Sequence, residues 1–302
     1  MLYSIIRTLR PEQWTKNILL FAGYLFTLER QHAPNTLLYV ISAFIVFCLL
    51  SSASYILNDV LDIERDKKHP QKSKRPIAQG KIKIANALIV SFVFLIISII
   101  WAFYLDTNFG ILASFYFFIT ALYSIYLKYL VVIDLLVIAS GFVIRAVAGT
   151  MVVKAYNSSI DLYENVEISS WLLICTTLLA LFLGTAKRRA ELISSKKLGF
   201  ETRKMNGGQY TLEFLNQSLA ITSSASLISY LLYTFTPGSK TGTNHPFIMI
   251  TIPFVIYGIF RYLHLVYSDE RGENPEWVLI HDKPLLINLI LFIVASAIVL
   301  KL

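Results

Sequence analysis

Residues 58–80 read NDVLDIERDKKHPQKSKRPIAQG, a polar stretch lying directly between two apolar segments of membrane-crossing length. Its acids come first: Asp59, Asp62, Glu64 and Asp66. A basic run follows: Lys67, Lys68, Lys72, Lys74 and Arg75. Carboxylates bind hard divalent cations and clustered cations bind phosphate. A segment offering both at the lip of a membrane helix suggests a site for a metal-bound diphosphate. Such a site suits an enzyme that joins a soluble phosphorylated substrate to a lipid.

The remainder of the chain has a membrane composition. Hydrophobic residues make up 56% of the 302 and charged residues only 15%, far less charge than a soluble protein of this length carries. The expectation is an all-α polytopic bundle of nine transmembrane helices, near 16–29, 37–57, 86–105, 108–127, 131–152, 170–186, 212–235, 246–267 and 284–301. No cleavable signal peptide is visible, because Arg7, Glu12 and Lys16 interrupt the N-terminus and no small-residue cleavage site follows. The whole of 1–302 reads as one integral-membrane catalytic domain with polar loops at 58–85, 187–211 and 268–283. A long charged loop follows both the second and the sixth helix, a weak echo of a duplicated unit.

Charge sets the expected orientation. With the N-terminus inside, the inner segments hold 22 of the 27 Lys and Arg; the outer segments keep Arg30, Lys154, Lys240 and Lys301, and Arg145 lies within a helix. This bias follows the positive-inside rule and puts the active site on the cytoplasmic face of the inner membrane, with the C-terminus outside. The net charge of +8 then requires no nucleic acid, since loops facing anionic lipid and anionic substrates account for it. Cys48 and Cys175 fall inside predicted helices and read as small packing residues.

Asn58, Asp62 and Asp66 are spaced i, i+4, i+8, along one helix face spanning about 12 Å. One ion cannot reach both ends of a straight helix. Either two ions are held, one between each neighbouring pair, or the helix unwinds before His69-Pro70; Asp59 with Asp62 offers a further pairing. Asn58, Asp59, Asp62 and Asp66 are the candidate metal ligands, and Asn58, Asp62 and Asp66 the catalytic candidates. Oxygen-only donors and incomplete protein coordination suit Mg²⁺. The competing reading is a solvated, salt-laced helix extension, and the run Ser51-Ser52-Ala53-Ser54 upstream fits close helix packing. Pro70 and Pro76 force a loop around the basic run. Lys74 and Arg75 are candidates for diphosphate contact, against plain positive-inside charge.

The pattern NDxxDxxxD after the second helix resembles the first aspartate motif of the UbiA superfamily of intramembrane prenyltransferases. The extended form is most similar to the branch that transfers phosphoribosyl groups to decaprenyl phosphate. RPEQWTKN at 10–17, YSIYLKYLVVIDLLVIASGFVIRAVAG at 123–149, LGTAKRRAEL at 183–192, YT at 210–211 and RYLHLVYSDERGENPEWVLIHDKPL at 261–285 carry the same likeness. The resemblance implies nine helices, an inward-facing mouth and a Mg²⁺-bound diphosphate. It implies phosphoribosyl pyrophosphate (PRPP) and a polyprenyl phosphate as substrates, and Tyr123 among the substrate contacts.

In one place the chain departs from the superfamily. Where ordinary members carry a second aspartate-rich motif, this chain has Lys187, Arg188 and Arg189, with Glu191 the nearest acid. A basic triplet suits direct contact with a phosphate, and PRPP carries a 5-phosphate besides its diphosphate. Lys187 and Arg188 are therefore candidate substrate contacts, although Lys187 and Glu191 also match an i, i+4 pair. Arg145, in mid-segment, is costly unless it faces an interior cavity or a partner; the choices are the lipid phosphate or a carboxylate such as Asp134. Lys16 and Lys128 complete the phosphate candidates. Three functions compete: the phosphoribosyltransferase, a prenyltransferase acting on an aromatic or other small acceptor, and a transporter or scaffold. Largely uninterrupted helices argue against the last. A homo-oligomer is compatible with the sequence.

Overall fold

A computed structural model describes residues 2–28, 32–159, 168–199, 209–235, 246–268 and 275–300. The expected loops 187–211 and 268–283 lie partly outside the described residues, as do the expected outer positions Arg30, Lys240 and Lys301. Among the described residues the secondary structure is helical.

The chain opens with α1 (Leu2–Leu9), a 3₁₀ segment (Pro11–Phe21) and the short α2 (Ala22–Leu25). The sequence predicts a regular membrane helix here, and the structure replaces it with this broken run. Two glycines show the cause. A Cβ on Gly149 would sit 1.9 Å from the Leu20 carbonyl oxygen, and one on Gly23 would sit 2.5 Å from the Thr150 hydroxyl. The segment is pressed backbone-to-backbone against the helix that carries Gly149, as small residues permit inside membranes.

The next elements are α3 (Thr36–Leu61), α4 (Ile63–Lys68), α5 (Ile84–Leu105), α6 (Thr107–Ile125), α7 (Ile133–Ser158), α8 (Ser170–Leu198) and α9 (Leu212–Phe235). A 3₁₀ turn (Pro246–Thr251) then leads into α10 (Ile252–Ser268), followed by α11 (Pro275–His281) and α12 (Lys283–Val299). Seven helical stretches among the described residues are long and apolar enough to cross a bilayer, and α12 is shorter. Among the described residues seven of the nine expected segments thus form full spans, while the first is irregular and the last is short. Side-chain caps fix three starts: Asp106 accepts from the Phe109 amide, Ser169 from Leu172 and Asp282 from Leu285.

Several helices outrun their apolar stretches. α3 continues to Leu61 instead of 57, α7 to Ser158 instead of 152, and α8 to Leu198 instead of 186. Hydropathy marks where the bilayer stops, whereas a helix stops where its backbone does. For the acidic segment that point is His69, extended at φ −89° and ψ 131° ahead of Pro70.

α3 and α7 form the centre; 61% and 56% of their apolar windows are buried, against 17% for α5. α5 turns Ile89, Phe92, Ile96 and Ile100 outward, a stripe at helical spacing that suits lipid. Two apolar cores result. One joins Phe47 and Leu50 of α3, Ala102 of α5, Phe109 and Tyr116 of α6 and Ile144 of α7. The other joins Phe182 of α8, Leu219 of α9, Ile259 and Tyr262 of α10, Val278 of α11 and Leu285 of α12. Between them lies a cavity of about 1330 Å³.

Candidate active site

Asn58, Asp59, Asp62 and Asp66 all line this cavity, at the end of the bundle where the charged loops gather. Asp62 is at once the last cap of α3 and the first of α4, with φ −97° and ψ 9°. The i→i+4 bonds nevertheless run on through it, from the Asp62 amide to the Asn58 carbonyl (2.9 Å) and from the Asp66 amide to the Asp62 carbonyl (2.8 Å). The helix is therefore interrupted at Asp62, neither straight nor unwound just before His69. That continuity is what keeps Asn58, Asp62 and Asp66 along one face.

Each aspartate is met by a cation from elsewhere. Lys128 Nζ lies 2.7 Å from Asp62 Oδ1 and 3.4 Å from Asn58 Oδ1. Arg75 Nη1 lies 2.5 Å from Asp66 Oδ2 and 3.1 Å from Asp59 Oδ1, and Arg10 also pairs with Asp59. Three acids thus face three bases. Lys128 is buried, held by the short 3₁₀ turn Leu127–Tyr129. Arg75 and Lys72 line the cavity, whereas Lys74, in the turn between them, is exposed and outside its wall. The participation of Arg10 was not legible; a lone arginine before Pro11 gives no periodic signal. Nearby, His69 is held below its ordinary pKa, first by burial and then by Lys72 and Arg75.

The donor set fits a hard divalent cation by chemistry: one amide oxygen and three carboxylates on one cavity wall. Among the described residues, no three of His, Cys, Asp and Glu already stand together as a ready ligand cluster. A cation held here would take the carboxylates from their arginine and lysine partners and complete its shell with ligand oxygens or water.

The facing wall comes from α8. Lys187, Arg188 and Glu191 line the cavity, but Arg189 turns away to Asn216 (2.7 Å), the Val266 carbonyl (3.0 Å) and the Tyr267 ring. Arg188 is held by two acids and a tyrosine. Its Nε donates to Asp134 Oδ2 (2.6 Å), Nη1 to Glu191, and Nη2 to the Tyr123 hydroxyl (2.8 Å). The α8 acid is thus bonded to Arg188 at i, i+3. Asp134, wholly buried, also accepts from the Tyr210 hydroxyl at 2.5 Å, and that hydroxyl accepts from the Val132 amide at 2.8 Å. Val132 has φ +69°, strained for a β-branched residue, just before α7 begins. Burial first, and the bond to Asp134 second, raise Tyr210 well above its ordinary pKa, so the hydroxyl keeps its proton.

Arg145, on α7, is buried in the cavity wall, away from both carboxylate groups. Its Nε donates to Asn17 Oδ1 (2.7 Å), Nη1 to the Gly141 carbonyl (2.6 Å) and Nη2 to the Tyr116 hydroxyl (2.7 Å). The carboxylate partner considered from the sequence, Asp134, belongs to Arg188 instead. Lys16 lines the same cavity and donates to Gln13.

A carboxylate cluster, the basic residues of α8 and an apolar lining in one cavity define a membrane-embedded transferase of the prenyltransferase type. The chain belongs to the UbiA prenyltransferase family, whose pattern it matches over residues 18–290. Two similar relatives are the decaprenyl-phosphate phosphoribosyltransferases of Mycobacterium tuberculosis and Corynebacterium glutamicum. Each is 32% identical to this chain, over 93% of its length and over 89% and 82% of the respective relatives. Among solved structures, a UbiA homolog from Archaeoglobus fulgidus bound to GPP and Mg²⁺ superposes with a TM-score of 0.71 at 20% identity, covering 99% of this chain and 100% of that one. That likeness establishes the shared fold.

Proposed function

We propose that this protein transfers the 5-phosphoribosyl group of PRPP to a polyprenyl phosphate of the decaprenyl phosphate kind, releasing pyrophosphate. The observation that carries the reading is the cavity's asymmetry. Three aspartates and Asn58 line the cavity as one group, whereas the α8 lining offers no second carboxylate cluster, since its acid, Glu191, is bonded to Arg188. One metal-bound diphosphate and one bare phosphate match PRPP better than a substrate pair served by two acidic clusters. The relatives named as decaprenyl-phosphate phosphoribosyltransferases support the same choice.

In the reaction an oxygen of the lipid phosphate attacks C1 of the ribose. The C1–O bond to pyrophosphate breaks, and pyrophosphate leaves with the bonding pair. A phosphate monoester is already mostly dianionic at neutral pH, so the attacking oxygen needs no general base. Asn58, Asp59, Asp62 and Asp66 would hold Mg²⁺, which when bound stabilises charge on the departing pyrophosphate. Lys128 and Arg75, displaced from the aspartates, supply compensating positive charge to the phosphate oxygens. Tyr123 and Arg188 hold each other at the opposite wall. The apolar part of the cavity, lined by Trp171, Leu172, Phe254, Leu289 and Phe292, takes the polyprenyl chain.

The test is incubation of purified protein with labelled PRPP and several polyprenyl phosphates, with Mg²⁺ or with EDTA. Ribose label should enter the lipid only with metal. Pyrophosphate release from a prenyl diphosphate plus an aromatic acceptor, with no ribose incorporation, would favour the prenyltransferase. The charge bias further supports an inner-membrane protein whose site opens to the cytoplasm. A cysteine placed at Lys72 should then react with an impermeant thiol reagent from the cytoplasmic side only; labelling from the outside overturns that orientation.

A further inference from the structure

The bare phosphate of the proposed reaction needs a cation whose charge is not already met within the protein. Arg188 does not qualify, because Asp134 and Glu191 both bond to it. Arg145 does. It is only 4% exposed, yet among the described residues all its hydrogen-bond partners are neutral: the Asn17 amide oxygen, the Gly141 carbonyl and the Tyr116 hydroxyl. The Tyr116 and Phe142 rings lie 4.8 and 5.8 Å from the guanidinium, which adds π-face attraction but no counter-charge. A buried cation without a carboxylate is held at a cost to the folded protein, and inside a membrane it marks a substrate path.

The surroundings hold the group in one pose. Asn17 reaches the Cys48 thiol and the Ser51 hydroxyl on α3, and Ser51 is bonded to the Phe47 carbonyl. The amide is therefore turned with its oxygen toward Arg145. A guanidinium has five N–H donors and three are used here, so two remain in a wall that faces the cavity. Along α3, Ser51 lies seven residues before Asn58, about 10 Å deeper than the carboxylates. Lys16, adjacent to Asn17 in the chain, adds a second positive group to the same wall.

We propose that Arg145, oriented by Asn17 and Tyr116, binds a phosphate monoester dianion directly, without a metal, as a subsite deeper than the carboxylate wall. The inference rests on the phosphoribosyl-transfer reading. It moves the bare-phosphate contact from the Lys187–Arg188 pair to α7. Two sources share the required chemistry: the 5-phosphate of PRPP and the phosphate of the lipid acceptor.

The experiment is thermal unfolding of purified protein in detergent, wild type against Arg145→Met and Arg145→Lys, alone and with PRPP, a polyprenyl phosphate or inorganic phosphate. Without ligand, Arg145→Met is expected to melt no lower than wild type, since it removes an unmatched buried charge. It should lose the stabilising shift from one of the two substrates and keep the other, and the shift that is lost identifies the source. The Michaelis constant for that substrate should rise about 10- to 100-fold, with Arg145→Lys intermediate. Retention of both shifts overturns the subsite. Loss of both also overturns it, as the mark of a distorted cavity. If Arg145→Met does not fold, the same comparison is read on Tyr116→Phe, which keeps the ring and removes one anchor. Wild-type ribosyl transfer tests the reaction separately. A shift from inorganic phosphate that disappears in Arg145→Met, with no ribose transferred by wild type, keeps the subsite and removes the reaction.

Discussion

Arg145 and Arg188 are both buried arginines in the wall of one cavity, 4% and 7% exposed, yet their surroundings are opposite. Arg188 on α8 is clasped by Asp134 and Glu191, whereas Arg145 on α7 touches only neutral oxygens. Residue type and depth do not separate them; counter-charge does. A compensated arginine braces two helices and presents a neutral wall to a ligand. An uncompensated one leaves the protein short of a negative charge that a substrate can bring. The carboxylate wall is a third case: its acids are matched, and Asp59, Asp62, Asp66, Arg10 and Arg75 line the cavity, with Lys128 buried behind Asp62.

The largest effect should come from breaking that third case. Asp62→Ala removes a candidate metal ligand and the acid bonded to Lys128, which is itself 1% exposed. Turnover should fall by about 10²-fold or more, and Asp66→Ala should act similarly. Near wild-type rates in either variant, or in EDTA, would remove the metal from the reaction. A smaller and different effect should follow Asp134→Asn. This variant would leave Arg188, a buried cation, with Glu191 as its one acid. Breaking a buried pair by removing one partner costs about 3–5 kcal/mol, so the loss should appear mainly in the melting temperature. An Asp134→Asn protein as stable as wild type would erase the contrast between the two arginines.

Much of this was legible in the sequence. Hydropathy located the nine segments, and i, i+4, i+8 spacing placed Asn58, Asp62 and Asp66 on one cavity wall because helical bonds run through the break at Asp62. Two things were not. The irregular start from Pro11 depends on a close backbone approach between Leu20 and Gly149, residues far apart in sequence. The pairing of the cations is likewise non-local. Nothing in KRRAEL distinguishes Arg188, turned to the cavity, from Arg189, turned to Tyr267; nothing in GFVIRAVAG says that Arg145 will meet Asn17 rather than Asp134. Spacing along a chain predicts faces, but counter-charges come from other helices.

The finest test concerns Tyr210, which does not touch the cavity. Its hydroxyl donates to Asp134 and accepts from the Val132 amide, so one buried group steadies both the clasp on Arg188 and the strained turn that follows Lys128. Tyr210→Phe keeps the ring stacked on Phe214 and deletes only these two bonds. A net cost of about 1–3 kcal/mol is expected, with the Val132 amide left unsatisfied. Activity should fall modestly as Lys128 and Arg188 lose their fixed positions. The pH dependence separates this role from proton transfer. An acid whose folded pKa is raised is protonated at neutral pH in both folded and unfolded states, and ionises later than usual on the alkaline side. Between about pH 7 and 9 the folded hydroxyl therefore stays neutral, and the ratio of Tyr210→Phe to wild-type activity should be flat. A ratio that climbs or falls across that range would mean that the Tyr210 proton takes part in the reaction, and the hydroxyl would then be more than a brace.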